Sequence, residues 1–126
     1  MVDPAPNGKY LLCLLSSGDE VGIHQISIAD KKRVALLPGV ETIGARFARD
    51  GRSFLYAVAS RAEVTFYRQV WSDGKLIGKP QIALKLPFAF SLYYRGNAFD
   101  FSRDLSTVVY ARPAGQADLY LINPAQ

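Results

Sequence analysis

The stretch Ala45-Arg46-Phe47-Ala48-Arg49-Asp50-Gly51-Arg52-Ser53-Phe54-Leu55-Tyr56-Ala57 lies over Phe99-Asp100-Phe101-Ser102-Arg103-Asp104-Leu105-Ser106-Thr107-Val108-Val109-Tyr110-Ala111. Phe47 meets Phe101, Asp50 meets Asp104, and Tyr56-Ala57 meets Tyr110-Ala111. A looser copy, Ala5-Pro6-Asn7-Gly8-Lys9-Tyr10-Leu11-Leu12-Cys13-Leu14, stands earlier. Each copy reads as a short strand, an Asp or Asn turn, and a second strand of apolar residues. A short carboxylate or amide side chain bonds backbone amides within such a turn. Asp50 and Asp104 are therefore read as turn formers, not as ligands or catalytic groups.

The copies are 43 residues apart from Asn7 to Asp50 and 54 apart from Asp50 to Asp104. The first spacing is that of a four-stranded propeller blade of about 40–45 residues, and the second fits a blade with a longer hairpin. The extra length falls in the segment Trp71–Tyr94. The rest of the chain agrees, because apolar residues come in short runs broken by Gly, Pro, Asn, Asp or Ser, with no helical period. The runs predict strands over Lys9–Leu15, Val21–Ile28, Arg33–Leu37, Gly44–Phe47, Ser53–Ala59, Glu63–Trp71, Lys75–Ile77 with Gln81–Leu86, Ala98–Phe101, Ser106–Ala111 and Asp118–Ile122.

Along Ser53–Ala59 one face carries Phe54, Tyr56 and Val58 and the other Leu55, Ala57 and Ala59. A sheet that is apolar on both faces must be covered on both. Asn7-Gly8, Asp50-Gly51 and Asp73-Gly74 supply tight turns, with glycine free to take positive φ. Leu105 stands where a turn glycine is expected, so that turn must avoid positive φ or carry strain. Pro4 stands where the inner-strand phenylalanine should be, so the first copy is expected to lack its innermost strand. The expectation is an all-β chain: a partial β-propeller of about three four-stranded antiparallel blades, the C-terminal part of a longer ring. Its approximate repeats are 1–43, 44–97 and 98–126.

Composition narrows the function. Of 126 residues, 49% are hydrophobic and 21% charged, which suits a globular domain and not a disordered one. The single cysteine, Cys13, excludes an internal disulfide framework and a multi-thiolate metal site. It sits in the apolar run Tyr10–Leu15 and reads as a small hydrophobe, with no local signature pairing it to His24 as a catalytic thiol. His24, the lone histidine, reads as a strand residue. No apolar run approaches the ~20 residues of a membrane-spanning helix, so direct membrane insertion is not expected. The net charge of +4 is mild, and the arginines between Arg46 and Arg68 are spread out with Asp50 and Glu63 among them. That pattern argues against a nucleic-acid surface.

The string Phe-Ala/Ser-Arg-Asp-Gly-Arg, carried here by Phe47–Arg52 and in part by Phe101–Ser106, resembles the signature of WD40-like, TolB-type β-propeller repeats. Ala98–Ile122, with Phe-Asp-Phe-Ser-Arg-Asp, then Ala-Arg and Asp-Leu-Tyr-Leu-Ile, is similar to the last blade of propellers behind the kinase domain of bacterial eukaryotic-type serine/threonine kinases. That resemblance implies a sensor part of a receptor-like kinase on the outer side of a bacterial membrane, with a cytoplasmic setting as the alternative. No kinase motif is present: the chain has no Gly-x-Gly-x-x-Gly, His-Arg-Asp or Asp-Phe-Gly.

The leading expectation for function is a non-catalytic binding or sensor module, with no cofactor and no metal, engaging an unidentified protein or small-molecule ligand. Pro87–Asn97 is the expected recognition loop. Its Tyr93, Tyr94 and Arg95 join rigid aromatic area to a charge, the chemistry of binding hot spots, while Phe88 and Phe90 read as plugs between blades. A propeller hydrolase or lactonase is the alternative from another class, and Asn97 and Asp100 are its only local candidates for metal ligands. A periplasmic TolB-like accessory role is a further alternative. Unpaired strand edges would favour contact with further blades of a parent chain, or self-association.

Overall fold

The same hydrogen bond closes the turn in every copy of the repeat. Ala5 N donates to Tyr10 O (2.8 Å), Ala48 N to Ser53 O (2.9 Å) and Ser102 N to Thr107 O (2.9 Å). Inside each turn the Asx side chain accepts the amide two residues on. Asn7 Oδ1 takes Lys9 N (3.0 Å), Asp50 Oδ1 takes Arg52 N (2.8 Å) and Asp104 Oδ1 takes Ser106 N (3.0 Å). The turn-forming role read from the sequence is therefore what these side chains do. Their spacing sets the fold, since each turn folds one strand back along the next.

The computed structural model describes residues 2–15, 22–40, 42–60, 63–87, 99–113 and 117–122. Among these residues every regular element is a strand: β1 (Val2–Pro4), β2 (Tyr10–Leu15), β3 (Gly22–Ser27), β4 (Arg33–Ala35), β5 (Gly44–Phe47), β6 (Ser53–Ala59), β7 (Val64–Ser72), β8 (Lys75–Leu86), β9 (Phe99–Phe101), β10 (Val108–Pro113) and β11 (Ala117–Ile122). They form three antiparallel sheets, ordered β1-β2-β3-β4, β5-β6-β7-β8 and β9-β10-β11. Register repeats from sheet to sheet: Pro4 opposes Leu11, Phe47 opposes Phe54, and Phe101 opposes Val108.

Two expectations are corrected. The first copy does have an innermost strand, because Val2, Asp3 and Pro4 pair with Cys13, Leu12 and Leu11. A proline is tolerated there because the strand lies at the sheet edge, where its missing N–H breaks no ladder bond. The two pieces predicted for the fourth strand of the second sheet are one strand, β8, with register shifts where it passes Phe66/Tyr67 and Arg68/Val70. Gly78 has φ +74° in this irregular stretch, and Gln69 Nε2 donates to its carbonyl (2.8 Å).

Alternation along β6 places its two apolar faces in two different cores. Phe54 and Tyr56 pack toward the first sheet with Leu12, Ile23, Ala45, Phe47 and Trp71. Leu55 and Ala57 pack toward the third sheet with Val64, Phe66, Leu86, Phe101, Leu105 and Val108. Phe47 and Phe101 hold equivalent places, each buried against the preceding sheet. Phe47 meets Trp71 of its own sheet edge-on at 4.8 Å, whereas Phe101 meets Phe66 of the preceding sheet edge-on at 5.2 Å. Offset and edge-on ring pairs add about 0.5–1.5 kcal/mol each beyond the area they bury.

Leu105 takes the left-handed backbone, φ +58°, at the position where Gly51 has φ +70°. A non-glycine residue there costs roughly 1–2 kcal/mol. The side chain is buried in the core between the second and third sheets, which offsets that cost.

Candidate functional site

Strand direction sorts the connections onto two faces. The turns at 5–9, 28–32, 48–52, 73–74 and 102–107 lie on one face. Contacts between sheets bind that face together, among them Tyr10 Oη donating to Asp73 O (3.3 Å) and Arg49 N to Arg103 O (3.1 Å). On the opposite face β4 leads toward β5, and β8 ends where the chain departs toward β9. Tyr93, Tyr94 and Arg95, the predicted recognition residues, lie outside the described residues, as do Phe88, Phe90 and Asn97.

The innermost strands carry the main cluster of charge. Asp3, on β1, is buried, and its carboxylate accepts Phe47 N of β5 (2.9 Å). It also takes both ends of the Arg103 guanidinium, at 2.9 Å and 2.5 Å, while Arg103 donates to Phe47 O as well (3.1 Å). One bidentate pair thus ties the first sheet to the third across the backbone of the second. Bidentate arginine–carboxylate pairs are among the stronger polar contacts in proteins. The hydrogen bond to Asp3 raises the Arg103 pKa further.

A parallel link joins the second and third sheets. Arg46 donates to Phe101 O (2.8 Å), pairs with Asp100 (3.1 Å), and lies over the Phe101 ring at 5.8 Å. Asp100, one of two metal-ligand candidates in the sequence, also accepts Phe101 N (2.9 Å). Looser pairs, Arg49–Asp104 at 3.8 Å and Arg68–Asp50 at 3.7 Å, extend the lacing along the turn face, around a depression of about 310 Å³ that also includes Arg103.

The turn carboxylates are held ionised by their own backbone. The Arg52 amide lowers the Asp50 pKa, with Ser53 and Arg68 assisting. The Ser106 hydroxyl and amide, with the Ser102 hydroxyl, push Asp104 far below the ordinary carboxylate range. The Lys32 amide and Ser27 hydroxyl do the same, less strongly, for Asp30.

Strand register places Cys13 directly opposite His24, a neighbour relation with no local sequence signature. Leu12 and Leu14 point into the core shared with the second sheet. By alternation Cys13 lies on the other face of the first sheet, and is half-buried.

Between the first two sheets a second cleft opens on the turn face, with a volume of about 250 Å³. Its base is a polar relay in which Trp71 Nε1 donates to Gln25 Oε1 (2.8 Å) and Gln25 Nε2 donates to Gly74 O (2.9 Å). Its walls are the 28–32 hairpin and the Asp73-Gly74 turn, where both residues have positive φ, +44° and +89°. Paired positive φ values are those of a type I′ hairpin turn. Desolvation raises the Tyr10 phenol pKa, and Asp73 adds to the effect, so Tyr10 stays a donor. Sequence reasoning missed this cleft because its walls come from separate repeats.

Three adjacent antiparallel sheets built on one repeated strand-turn-strand phrase define the class by fold: a partial β-propeller. Among solved structures the chain is similar to the crystal structure of TolB from Acinetobacter baumannii, with a TM-score of 0.56 and 19% sequence identity. The match covers 97% of this chain, which spans 31% of the length of that one. No protein-family model matches the sequence, and no curated protein matches it.

Proposed function

We propose that the chain is a non-catalytic propeller module that binds a protein or small-molecule ligand. One observation carries this reading: the carboxylates best placed for chemistry hold blades and turns. Asp3 is taken up by Arg103 and Phe47 N, Asp100 by Arg46, and Asp50 and Asp104 by their own turns. A lactonase-type site needs acidic and amide side chains converging on a metal, and Asp100 already faces a guanidinium.

Tyr93, Tyr94 and Arg95 fall in the connection between β8 and β9 and are the proposed contact residues. The resemblance of Ala98–Ile122 to kinase-attached propellers supplies a proposed parent, in which these blades are the sensing part of a receptor-like kinase. Replacing Tyr93, Tyr94 and Arg95 together by alanine is expected to abolish the interactions of the full-length protein. Unchanged interactions would remove this loop from the proposal. Metal-dependent turnover of lactones or esters by the purified chain would overturn the non-catalytic reading.

A further inference from the structure

We infer that the face of the first sheet turned away from the second, carrying Val2, Leu11, Cys13 and Ala35, is covered by the third sheet of a second copy of this chain. This goes beyond the reading of the chain as a binding module and does not depend on it.

The repeat register identifies the occupant. Pro4–Leu11, Phe47–Phe54 and Phe101–Val108 are equivalent cross-strand pairs. Leu11, Phe54 and Val108 therefore form one column, and Leu12, Leu55 and Val109 the next. Phe54 and Val108 face the sheet before their own, while Leu12 and Leu55 face the sheet after it. Wherever a neighbouring sheet is present the cover is complete: Phe54, Val108, Leu12 and Leu55 are all 0% exposed. The remaining member of each column stands at an opposite end of the molecule. Among the described residues no sheet precedes Leu11 and none follows Val109, and both are only half-buried.

Both interfaces inside the chain join unlike faces, Leu12 with Phe54 and Leu55 with Val108. The chain thus carries both halves of its own contact, with one half unused at each end. Stacked repeats bury an apolar face that none can bury alone. Two unlike faces on one molecule lead to head-to-tail association of identical copies.

The chemistry of the two open faces agrees. Strand pairing sets Val2, Cys13, His24 and Ala35 in one row across the first sheet, with Leu11 and Ile26 paired beside it. Val2 is 63% exposed, Ala35 is exposed, and Leu11, Cys13 and Ile26 are half-buried. These positions hold no carboxylate. On the third sheet the register pairs Val109 with Leu121 and Ala111 with Leu119. Asp100, beside Val109, is already engaged by Arg46.

The test is sedimentation equilibrium of the purified chain over a range of concentrations. The expected mass rises to at least twice the 13.9 kDa of one chain. Val2→Glu combined with Ala35→Glu is expected to weaken association about tenfold or more, because the contact would then bury unpaired carboxylates. Ile77→Glu with Ile82→Glu, two exposed residues of β8, is expected to change it less than about twofold. Val109→Glu, on the opposite open face, should dissociate the assembly as the first pair does. An equimolar mixture of Val109→Glu with the Val2→Glu, Ala35→Glu variant should associate again, since each supplies the face that the other has lost. Circular dichroism checks that each variant is folded, and if Val109→Glu is not, the two exposed double variants decide the matter.

A mass of one chain at every concentration would overturn the second copy as occupant. Association of Val109→Glu by itself would mean that like faces meet, and would overturn the head-to-tail contact. Loss from the β8 variant with retention in Val2→Glu, Ala35→Glu would move the contact to a sheet edge and overturn the proposal.

Discussion

Replacing Arg103 with alanine should destabilise the protein by about 2–3 kcal/mol, because it strands the Asp3 carboxylate. Asp3 is only 4% exposed and would keep a single donor, Phe47 N. Removing one partner of a fully buried pair costs about 3–5 kcal/mol. The Arg103 side chain is 40% exposed, so water can refill part of its place, and we halve that figure to about 2 kcal/mol. The Phe47 carbonyl loses a donor as well, for up to about 1 kcal/mol more. For a chain of this length each kcal/mol shifts Tm by roughly 3–5 °C, giving a fall of about 10 °C.

Asp3→Asn alone should cost only about 1 kcal/mol, since an amide oxygen can still accept Phe47 N. With asparagine already in place, Arg103→Ala no longer leaves a buried charge. The double variant should therefore be more stable than the sum of the single effects implies, by about 1–2 kcal/mol. Urea unfolding of the four proteins measures this coupling. Additivity within about 0.5 kcal/mol would refute the strap between the first and third sheets.

Acid should weaken the fold below about pH 4. The Asp30, Asp50 and Asp104 pKa values are lowered in the folded chain, so their stabilisation is complete above the unfolded carboxylate pKa near ~3.9 and is lost as pH falls through the folded values. Asp50→Asn with Asp104→Asn should flatten the acid limb of a Tm-versus-pH curve yet keep the turns, since Asn7 already does this work; an unchanged limb would count against the turns as its source. Leu105→Gly should relieve strain of roughly 1–2 kcal/mol at φ +58° but forfeit a buried leucine worth about 1.5–3 kcal/mol, for a net loss of no more than about 1 kcal/mol at the midpoints, read by urea unfolding. Gly74→Ala puts a Cβ 2.9 Å from the Tyr10 ring on a backbone with φ +89° and should cost at least about 1 kcal/mol. The same change should alter Tyr10 fluorescence, and a neutral result would mean that the hairpin does not abut Tyr10.

The parts of the structure legible in the sequence are those decided within a single repeat. Alternation in Phe54–Ala59 announces a sheet covered on both faces, and Asp50 and Asp104 announce their turns. Even the oddity of Leu105 is visible as a conflict between side chain and backbone, which burial resolves. β1 is missed because three residues ending in proline carry no strand pattern, and it is held by pairing with β2 and by Asp3 reaching Phe47 N. Asp3 and Arg103 stand 100 residues apart, and nothing local links them. A signal exists only for the parallel link: in the repeat register Arg46 and Asp100 occupy one column with opposite sign, and they do pair. The recognition loop falls outside the described residues, so Tyr93, Tyr94 and Arg95 still rest on sequence chemistry alone.

The tie between Asp3 and Arg103 also has a mechanical meaning. A tension applied at the start of the chain would not simply peel β1 from β2 one rung at a time. It would be passed through the guanidinium to the far sheet and through Phe47 N to the middle one, so all three would bear the load together and yield in a single event.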